Sequence, residues 1–193
     1  MLTSIFLLLL NVLFGFFTLV LLGRFYMQWQ RISFHNQVGV FILKTTDWVV
    51  LPLRRMMPGL FGLDMASLLP AWGLQTLHAA IDLGVRGLSF DGGVAGVTLG
   101  LIGLGLVELA RMAVYLLFVI VLASAVMSWV SPHAPAAPIF RGLAEPFLRP
   151  FRRVIPMVAN IDLSPLVFLV LMQIVLIVLT GLRGNFVVLV AGV

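Results

Sequence analysis

The chain has 193 residues, of which 62% are hydrophobic and 10% are charged, with a formal net charge of +5 and no cysteine. An ordinary soluble domain has roughly 25% charged residues, and a water-soluble protein of this length could not bury so much apolar surface. Composition therefore indicates an integral membrane protein and excludes a disordered chain, a soluble secreted enzyme, a disulfide framework and a cysteine metal site.

Four segments have the composition of membrane-spanning helices, each of which needs about 20 apolar residues. In chain order they are 5–22, 65–83, 112–130 and 163–182. No basic segment precedes the first and no small-residue cleavage site follows it, which favours a retained helix over a signal peptide. The second is the least apolar, since it contains Pro70, Gln75, Thr76, His78 and Asp82. These segments predict an all-α membrane protein with four transmembrane helices.

The segments between the predicted spans differ strongly in charge. Nine of the twelve basic residues lie in segments 23–60 and 131–161, namely Arg24, Arg31, Lys44, Arg54, Arg55, Arg141, Arg149, Arg152 and Arg153. The positive-inside rule places both segments in the cytoplasm, so both termini of a four-span, multi-pass protein face outward. Apolar residues at helical spacing in 38–49 predict that these loops contain short interfacial helices.

The segment between the second and third spans is rich in glycine. Gly92, Gly96 and Gly100 stand four residues apart, as on a closely packed helix face. The apolar stretch 94–107 is too short to cross a bilayer alone, so it is either an extension of the third span or a shallow re-entrant segment. We therefore divide the chain into a first repeat (1–83), a glycine-rich connector (84–108) and a second repeat (109–193).

In an internal duplication, residues 52–67 align with residues 150–165 without a gap, at a constant offset of 98. Five Pro, Arg and Asp positions are identical: Pro52 with Pro150, Arg54 with Arg152, Arg55 with Arg153, Pro58 with Pro156 and Asp64 with Asp162. Farther along, Gln75 corresponds to Gln173, and a two-residue gap upstream aligns Trp29 with Trp129. Two spans per repeat predict two tandem helix hairpins in parallel orientation, related by a pseudo-two-fold axis along the membrane normal.

The paired P-x-R-R-x-x-P segments, each followed by Asp before a predicted span, resemble the YggT (YlmG) family of small membrane proteins. The segments 125–131, 144–153 and 161–165 are similar to the signature of the family's second repeat. The resemblance covers nearly the whole chain, although Ala66-Ser67 stands where the second repeat has Ser164-Pro165. It implies a non-enzymatic protein of the bacterial inner membrane, from a family linked to osmotic-stress tolerance, cell division and assembly of membrane complexes.

The paired motifs allow several interpretations. The arginines serve the topology, bind lipid headgroups or a partner, or form a clamp with the aspartates. The prolines are expected to end any helix between them. Asp64 and Asp162 are expected to cap the following helices, or to act as a proton or cation site.

The polar residues predicted inside the membrane also have two interpretations. Gln75, His78 and Asp82 continue one helix face from Asp64, and Gln173 repeats the position of Gln75. We expect these side chains to face the bundle interior and hydrogen-bond between helices. The alternative is a polar route for ions, which the second repeat weakens because it has Leu176 and Thr180 in place of His78 and Asp82. Glu108 and Arg111 have the spacing of an ion pair on one helix.

The leading hypothesis for function is a non-catalytic scaffold that presents its basic loops to anionic lipid headgroups or to a partner complex. An ion transporter or channel component is the alternative, and an intramembrane enzyme using Asp64 and Asp162 is the third. No metal-ligand spacing, nucleotide-binding loop or nucleophile motif occurs in the sequence. We expect no cofactor, no metal and no nucleic acid, and a partner that is another membrane protein or a second copy of the chain.

Overall fold

The computed structural model describes residues 1–56, 64–131, 133–155 and 162–192. Within these ranges the chain forms helices and no strands, which confirms the all-helical class. The helices are α1 (Leu2–Trp29), α2 (Gln37–Met56), α3 (Met65–Val85), α4 (Gly93–Val130), α5 (Ala137–Val154) and α6 (Ser164–Ala191). Pro58 and Pro156 of the paired motifs lie outside the described residues.

Three of the described helices, α1, α4 and α6, are long and apolar enough to cross a membrane. All three are longer than the spans predicted from the sequence. The remaining predicted span is a helix, α3, but its apolar run is interrupted by Pro70, Gln75, His78 and Asp82. Composition therefore supports a membrane protein with three candidate spans.

The long helices form two antiparallel pairs. In the first pair, α3 runs back along α1, so that Gln75 Nε2 donates a hydrogen bond to Thr18 Oγ1 at 2.8 Å. In the second pair, α6 runs back along α4, where Arg183 Nε donates to Glu108 Oε1 at 2.7 Å. Helix α4 also packs against α1 and α3 and so joins the two pairs.

The two pairs run in the same direction, which can be read from the contacts between α1 and α4. A Cβ at Gly15 of α1 would lie 3.8 Å from Met112 of α4. Eleven or twelve residues further along α1, Tyr26 and Met27 share a core cluster with Ile120 and Val121, which lie eight or nine residues further along α4. The parallel arrangement predicted for the repeats is therefore present in the helix pairs.

The glycine-rich segment is helical from Gly93 onward, which agrees with one of the two predicted alternatives, an extension of the third predicted span. Helix α4 begins at Gly93 and continues without interruption to Val130, so residues 93–108 extend the third long helix. Methyl groups at Gly92 or Gly100 would overlap α6 at Leu189 and Val190. Glycine in these positions allows close approach of the two backbones, and the contact stabilises a helix that glycine alone disfavours.

Helices α2 and α5 occupy equivalent places between the long helices. Each buries one face: Gly39, Ile42, Thr46 and Val50 in α2, and Ala137, Leu143, Ala144 and Leu148 in α5. Of the apolar stripe predicted at 38–49, Ile42 is buried against the bundle, while Val38, Thr45 and Val49 are partly exposed and Phe41 is exposed. Both helices contact the C-terminal end of α1, because Arg54 of α2 bonds Gln28 and Leu143 O of α5 accepts from Tyr26 Oη at 2.6 Å. We call this end of the bundle the motif end.

The first proline of each paired motif does not end a helix, contrary to the sequence prediction. Pro52 lies inside α2, and Pro146 and Pro150 lie inside α5. A proline removes one backbone hydrogen bond but does not stop a helix whose apolar face is held by packing. The paired arginines consequently occupy the last helical turns rather than a loop, where their charge is favourable to the helix dipole.

Candidate functional site

The motif of the first repeat forms an ion pair that ties the end of α2 to the start of α3. Arg54 Nη2 donates to Asp64 Oδ2 at 2.7 Å, and Ser67 Oγ donates to the same oxygen at 2.7 Å. The Asp64 side chain is 3% exposed, whereas that of Arg54 is 42% exposed. Asp64 stands at the N-cap position without accepting a backbone N–H through its side chain, so the expected capping bond is absent. We call Arg54, Asp64 and Ser67 the first clamp.

The second repeat forms the equivalent ion pair between α5 and α6. Arg152 Nε donates to Asp162 Oδ2 at 2.7 Å, and Arg152 Nη1 donates to Glu145 Oε2. Here Asp162 Oδ1 accepts the backbone N–H of Ser164, the first residue of α6, at 2.9 Å, although Leu163 stands at the N-cap position. Burial alone would raise the pKa of Asp162. The hydrogen bonds from Ser164 and Arg152 stabilise the carboxylate more strongly, so the pKa lies below its ordinary value. We call Arg152, Asp162 and Ser164 the second clamp.

Within each arginine pair, the two residues have different environments. Arg54 and Arg152 are engaged by the clamps, whereas Arg55 and Arg153 are exposed and make no ion pair with the described residues. The structure therefore supports the predicted clamp for one arginine of each pair. The other arginine remains available at the motif end for a ligand outside the chain.

The acidic residues Asp47 and Glu145, which correspond in the duplication, have different partners. Asp47 accepts from Arg24 Nη1 at 2.7 Å, and the same nitrogen donates to Thr46 Oγ1 at 2.7 Å. Arg24 is 3% exposed and lies inside α1, which corrects its assignment to a loop. In the second repeat, Ser124 stands at the position aligned with Arg24. Glu145 therefore lacks the equivalent arginine and pairs with Arg152 instead.

The two glutamines also differ. Gln75 is 1% exposed and is bonded to Thr18. Gln173 is exposed on the outer side of α6, which contradicts the expectation that both face the interior. The alignment of Trp29 with Trp129 places Phe118 where the first repeat has Thr18. The Phe118 ring cannot accept a hydrogen bond from the Gln173 amide in the way that the Thr18 hydroxyl accepts one from Gln75. Phe118 and Gln173 line the same groove.

A second polar centre lies far from the motif end, and the sequence indicated Asp82 and the Glu108–Arg111 pair separately but not their association. It joins five charged residues of α3, α4, α6 and the turn after α3, namely Asp82, Arg86, Glu108, Arg111 and Arg183, which we call the charge cluster. Arg183 connects the other two helices, donating to Glu108 at 2.7 Å and to Asp82 at 3.3 Å. The spacing of Glu108 and Arg111 correctly predicted their pairing, at 2.9 Å.

A cavity of about 910 Å³ opens beside the charge cluster. Its lining includes His78, Asp82 and Thr180 but neither Gln75 nor Asp64. The polar face proposed from the sequence is thus divided in the described part of the chain, with Asp64 in the first clamp and Asp82 in the charge cluster. The described residues include no group of three His, Asp or Glu side chains placed to hold a metal ion.

Comparison with known proteins identifies similar chains. The family model described as CCB3/YggT matches residues 3–84 and 104–183, in agreement with two repeats. The chain is 34% identical over 168 residues to the uncharacterized protein YggT of Escherichia coli strain K12, covering 86% of this chain and 85% of that protein.

Two further relatives extend the comparison. An uncharacterized protein of Vibrio alginolyticus is 34% identical over 166 residues, covering 86% of this chain and 88% of its own length. An uncharacterized protein of Pseudomonas aeruginosa is 32% identical over 178 residues, covering 91% and 88%. No solved structure matches the chain.

Proposed function

The chain belongs to the CCB3/YggT family, and from that premise we propose that it is a non-catalytic scaffold of the bacterial inner membrane. Its ligand at the motif end is the anionic headgroup layer, or an acidic surface of a partner complex docked there. The observation that carries this proposal is the repeated clamp, which fixes one arginine of each pair and leaves Arg55 and Arg153 exposed. Roles in osmotic-stress tolerance or complex assembly would follow from organising the membrane around this surface.

The proposed topology has four spans, α1, α3, α4 and α6, with α2 and α5 at the cytoplasmic interface. Helix α3 has 21 residues, and about 31 Å of helix is enough to cross a hydrocarbon core of about 30 Å. Its polar residues Ser67, Gln75 and Asp82 are buried within the protein rather than exposed to lipid. Shielding of this kind supports a crossing by a helix whose hydropathy is low.

The exposed surface of α5 supports headgroup binding. Arg141, Arg149 and Arg153 are exposed there, while Leu143 and Leu148 are buried against the bundle. Each basic residue near an anionic leaflet contributes about 1 kcal/mol, and guanidinium groups bind phosphate with two hydrogen bonds. Helix α2 adds the exposed basic residues Lys44 and Arg55.

Short-range quenching tests this surface directly. The chain lacks cysteine, so a fluorophore can be placed at Met56→Cys or Val154→Cys, beside Arg55 and Arg153. In nanodiscs, we expect phosphatidylglycerol with a spin-labelled headgroup to quench more than phosphatidylcholine with the same label. The Arg55→Gln/Arg153→Gln variant should remove this difference, whereas Arg86→Gln, at the other end, should retain it. Equal quenching by the two lipids in the chain with native arginines would disprove the headgroup proposal.

The exposed Gln173 side chain supports a second proposal, that the chain associates with a copy of itself in the membrane. This residue lies nine positions into α6, about 14 Å from its start and so near the middle of the bilayer. An amide exposed to lipid at that depth is stabilised by a hydrogen bond to a polar partner. Two copies of Gln173 related by a two-fold axis can each donate a hydrogen bond to the other and accept one from it. Ile177→Cys, one turn along the same exposed face and with Gln173 intact, should therefore form a disulfide-linked dimer in membranes, whereas Val178→Cys, on another face of α6, should not. Isolation of both variants as monomers would contradict self-association through this face.

A further inference from the structure

In the charge cluster, all four carboxylate oxygens already accept hydrogen bonds from arginine side chains. Glu108 Oε1 accepts from Arg183 at 2.7 Å and from Arg111 at 3.1 Å, and Glu108 Oε2 accepts from Arg111 at 2.9 Å. Asp82 Oδ1 accepts from Arg86 at 2.8 Å and its Oδ2 accepts from Arg183 at 3.3 Å. Since every carboxylate oxygen already faces a guanidinium, a cation entering the cluster would have to displace an arginine.

The donors of the cluster are not all used. Arg111 Nε is buried and has no hydrogen-bond partner in the described part of the chain. Arg86 bonds Asp82 only through Nε, and its side chain is 59% exposed. Three arginines against two carboxylates leave the cluster with one excess positive charge when His78 is neutral. A buried N–H without a partner costs about 1–3 kcal/mol, which a suitable acceptor would recover.

The cavity next to these donors is amphiphilic. Asn11, Tyr115 and Thr180 contribute polar groups, and Leu7, Leu8 and Met112 contribute apolar surface. The lining therefore suits a ligand that has a charged head and a hydrocarbon part.

The depth of the cluster matches a headgroup layer. Asp82 follows the start of α3 by 17 residues and Arg183 follows the start of α6 by 19, which corresponds to about 26 and 29 Å of helix. The start of both helices lies at the motif end, so the cluster is about one hydrocarbon thickness away from it. In the proposed topology this is the outer interface.

We propose that the cavity is an anion site for the phosphate of a phospholipid headgroup or for free phosphate, held by Arg86 and Arg111. The planar guanidinium of Arg111 supplies the unpartnered Nε, and Arg86 supplies terminal nitrogens from the turn after α3. Arg183 keeps the two carboxylates in place and so positions the other arginines. The site is separate from the lipid-facing surface at the motif end.

The test uses the full chain in a zwitterionic detergent, titrated with short-chain phosphatidylglycerol, phosphatidylcholine or inorganic phosphate while the unfolding temperature is measured. A ligand that binds the folded state raises this temperature in a saturable way. We expect phosphatidylglycerol to bind, and Arg111→Gln or Arg86→Gln to weaken it about tenfold or more, the equivalent of one charged hydrogen bond. Binding of inorganic phosphate with the same sensitivity would identify the free ion as a ligand, and its absence would identify the lipid.

Two further variants separate this site from the motif end and from misfolding. Arg111→Lys keeps a charge for Glu108 but lacks the Nε donor, and we expect the same loss of affinity without loss of fold. In the Arg55→Gln/Arg153→Gln background, which lacks the exposed arginines of the motif end, phosphatidylglycerol should still bind in a saturable way and Arg86→Gln should still weaken that binding, even if headgroup quenching at the motif end fails. Absence of saturable binding, or unchanged affinity in both Arg86→Gln and Arg111→Lys, would overturn the proposal.

Discussion

Adjacent arginines in this chain have different physical roles although their side chains are identical. Arg54 is held between Gln28 and the buried carboxylate of Asp64, whereas Arg55, one position on, points away and is exposed. A helix rotates by about 100° per residue, so only one of two neighbours can face the following helix. The same division separates Arg152 from Arg153.

This division predicts unequal costs of substitution. Among the described residues, Arg54→Gln leaves the buried Asp64 carboxylate with Ser67 as its one side-chain donor, so we expect the free energy of unfolding to fall by about 1–3 kcal/mol. Arg55→Gln should change it by about 0.5 kcal/mol or less. Chemical unfolding of both variants in detergent measures the difference. Equal losses would show that the clamp does not stabilise the fold.

The lowered pKa of Asp162 predicts that acid weakens the second clamp. A carboxyl whose pKa is lower in the folded state than in the unfolded state stabilises the fold above its unfolded pKa. That contribution is lost as the pH falls from the ordinary value of 3.8 through the lower folded value. Thermal unfolding between about pH 6 and pH 3 should therefore show a steeper loss for the unmodified chain than for Asp162→Asn. Parallel curves would contradict the assignment.

At the level of helices, the sequence was informative where structure follows from local pattern. The four apolar segments each became part of a long helix, and the repeat at an offset of 98 located both clamps. It left open whether 94–107 extends the third span or is re-entrant, because glycine disfavours a helix until another backbone packs against it. Proline likewise suggested helix ends at Pro52 and Pro150, where tertiary packing continues the helix.

The unpredicted parts of the candidate sites have a common cause. Arg183 bonds residues that precede it by 75 and 101 positions, and Arg24 bonds one 23 positions later. No periodicity links such partners, since their proximity depends on how the helix pairs assemble. The exposure of Gln173 has the same origin, because it depends on Phe118 of another helix.

The contact between α4 and α6 predicts that alanine substitutions at two glycines change the free energy of unfolding by different amounts. A Cβ at Gly100 would overlap Val190, so Gly100→Ala should lower the free energy of unfolding by about 1–3 kcal/mol. Nothing lies near a Cβ at Gly181, so Gly181→Ala should be neutral or stabilising by up to about 1 kcal/mol. Unfolding in detergent measures both. A stabilising Gly100→Ala would show that the two helices do not pack this closely.

At the scale of the whole molecule, duplication has produced two units with the same direction but different interiors. The first unit contains a buried Arg24 and a bonded Gln75, while the second has Ser124 and an exposed Gln173 at the corresponding positions. Symmetry is retained at the motif end, where the clamps repeat, and is lost along the spans. A function that needs both units equally is therefore expected at the motif end.

Because the two units are parallel, both motifs should lie on the same side of the membrane. Single introduced cysteines can test this, since the native chain has no cysteine. Met56→Cys and Val154→Cys follow the two arginine pairs, and Asp91→Cys lies in the turn between α3 and α4. A membrane-impermeant maleimide should label the first two only in inverted vesicles and the third only in right-side-out vesicles. Because α3 connects the motif end to that turn, labelling of all three from one side would mean that α3 does not cross. Labelling of residues 56 and 154 from opposite sides would exclude the parallel arrangement, and with it a common basic surface.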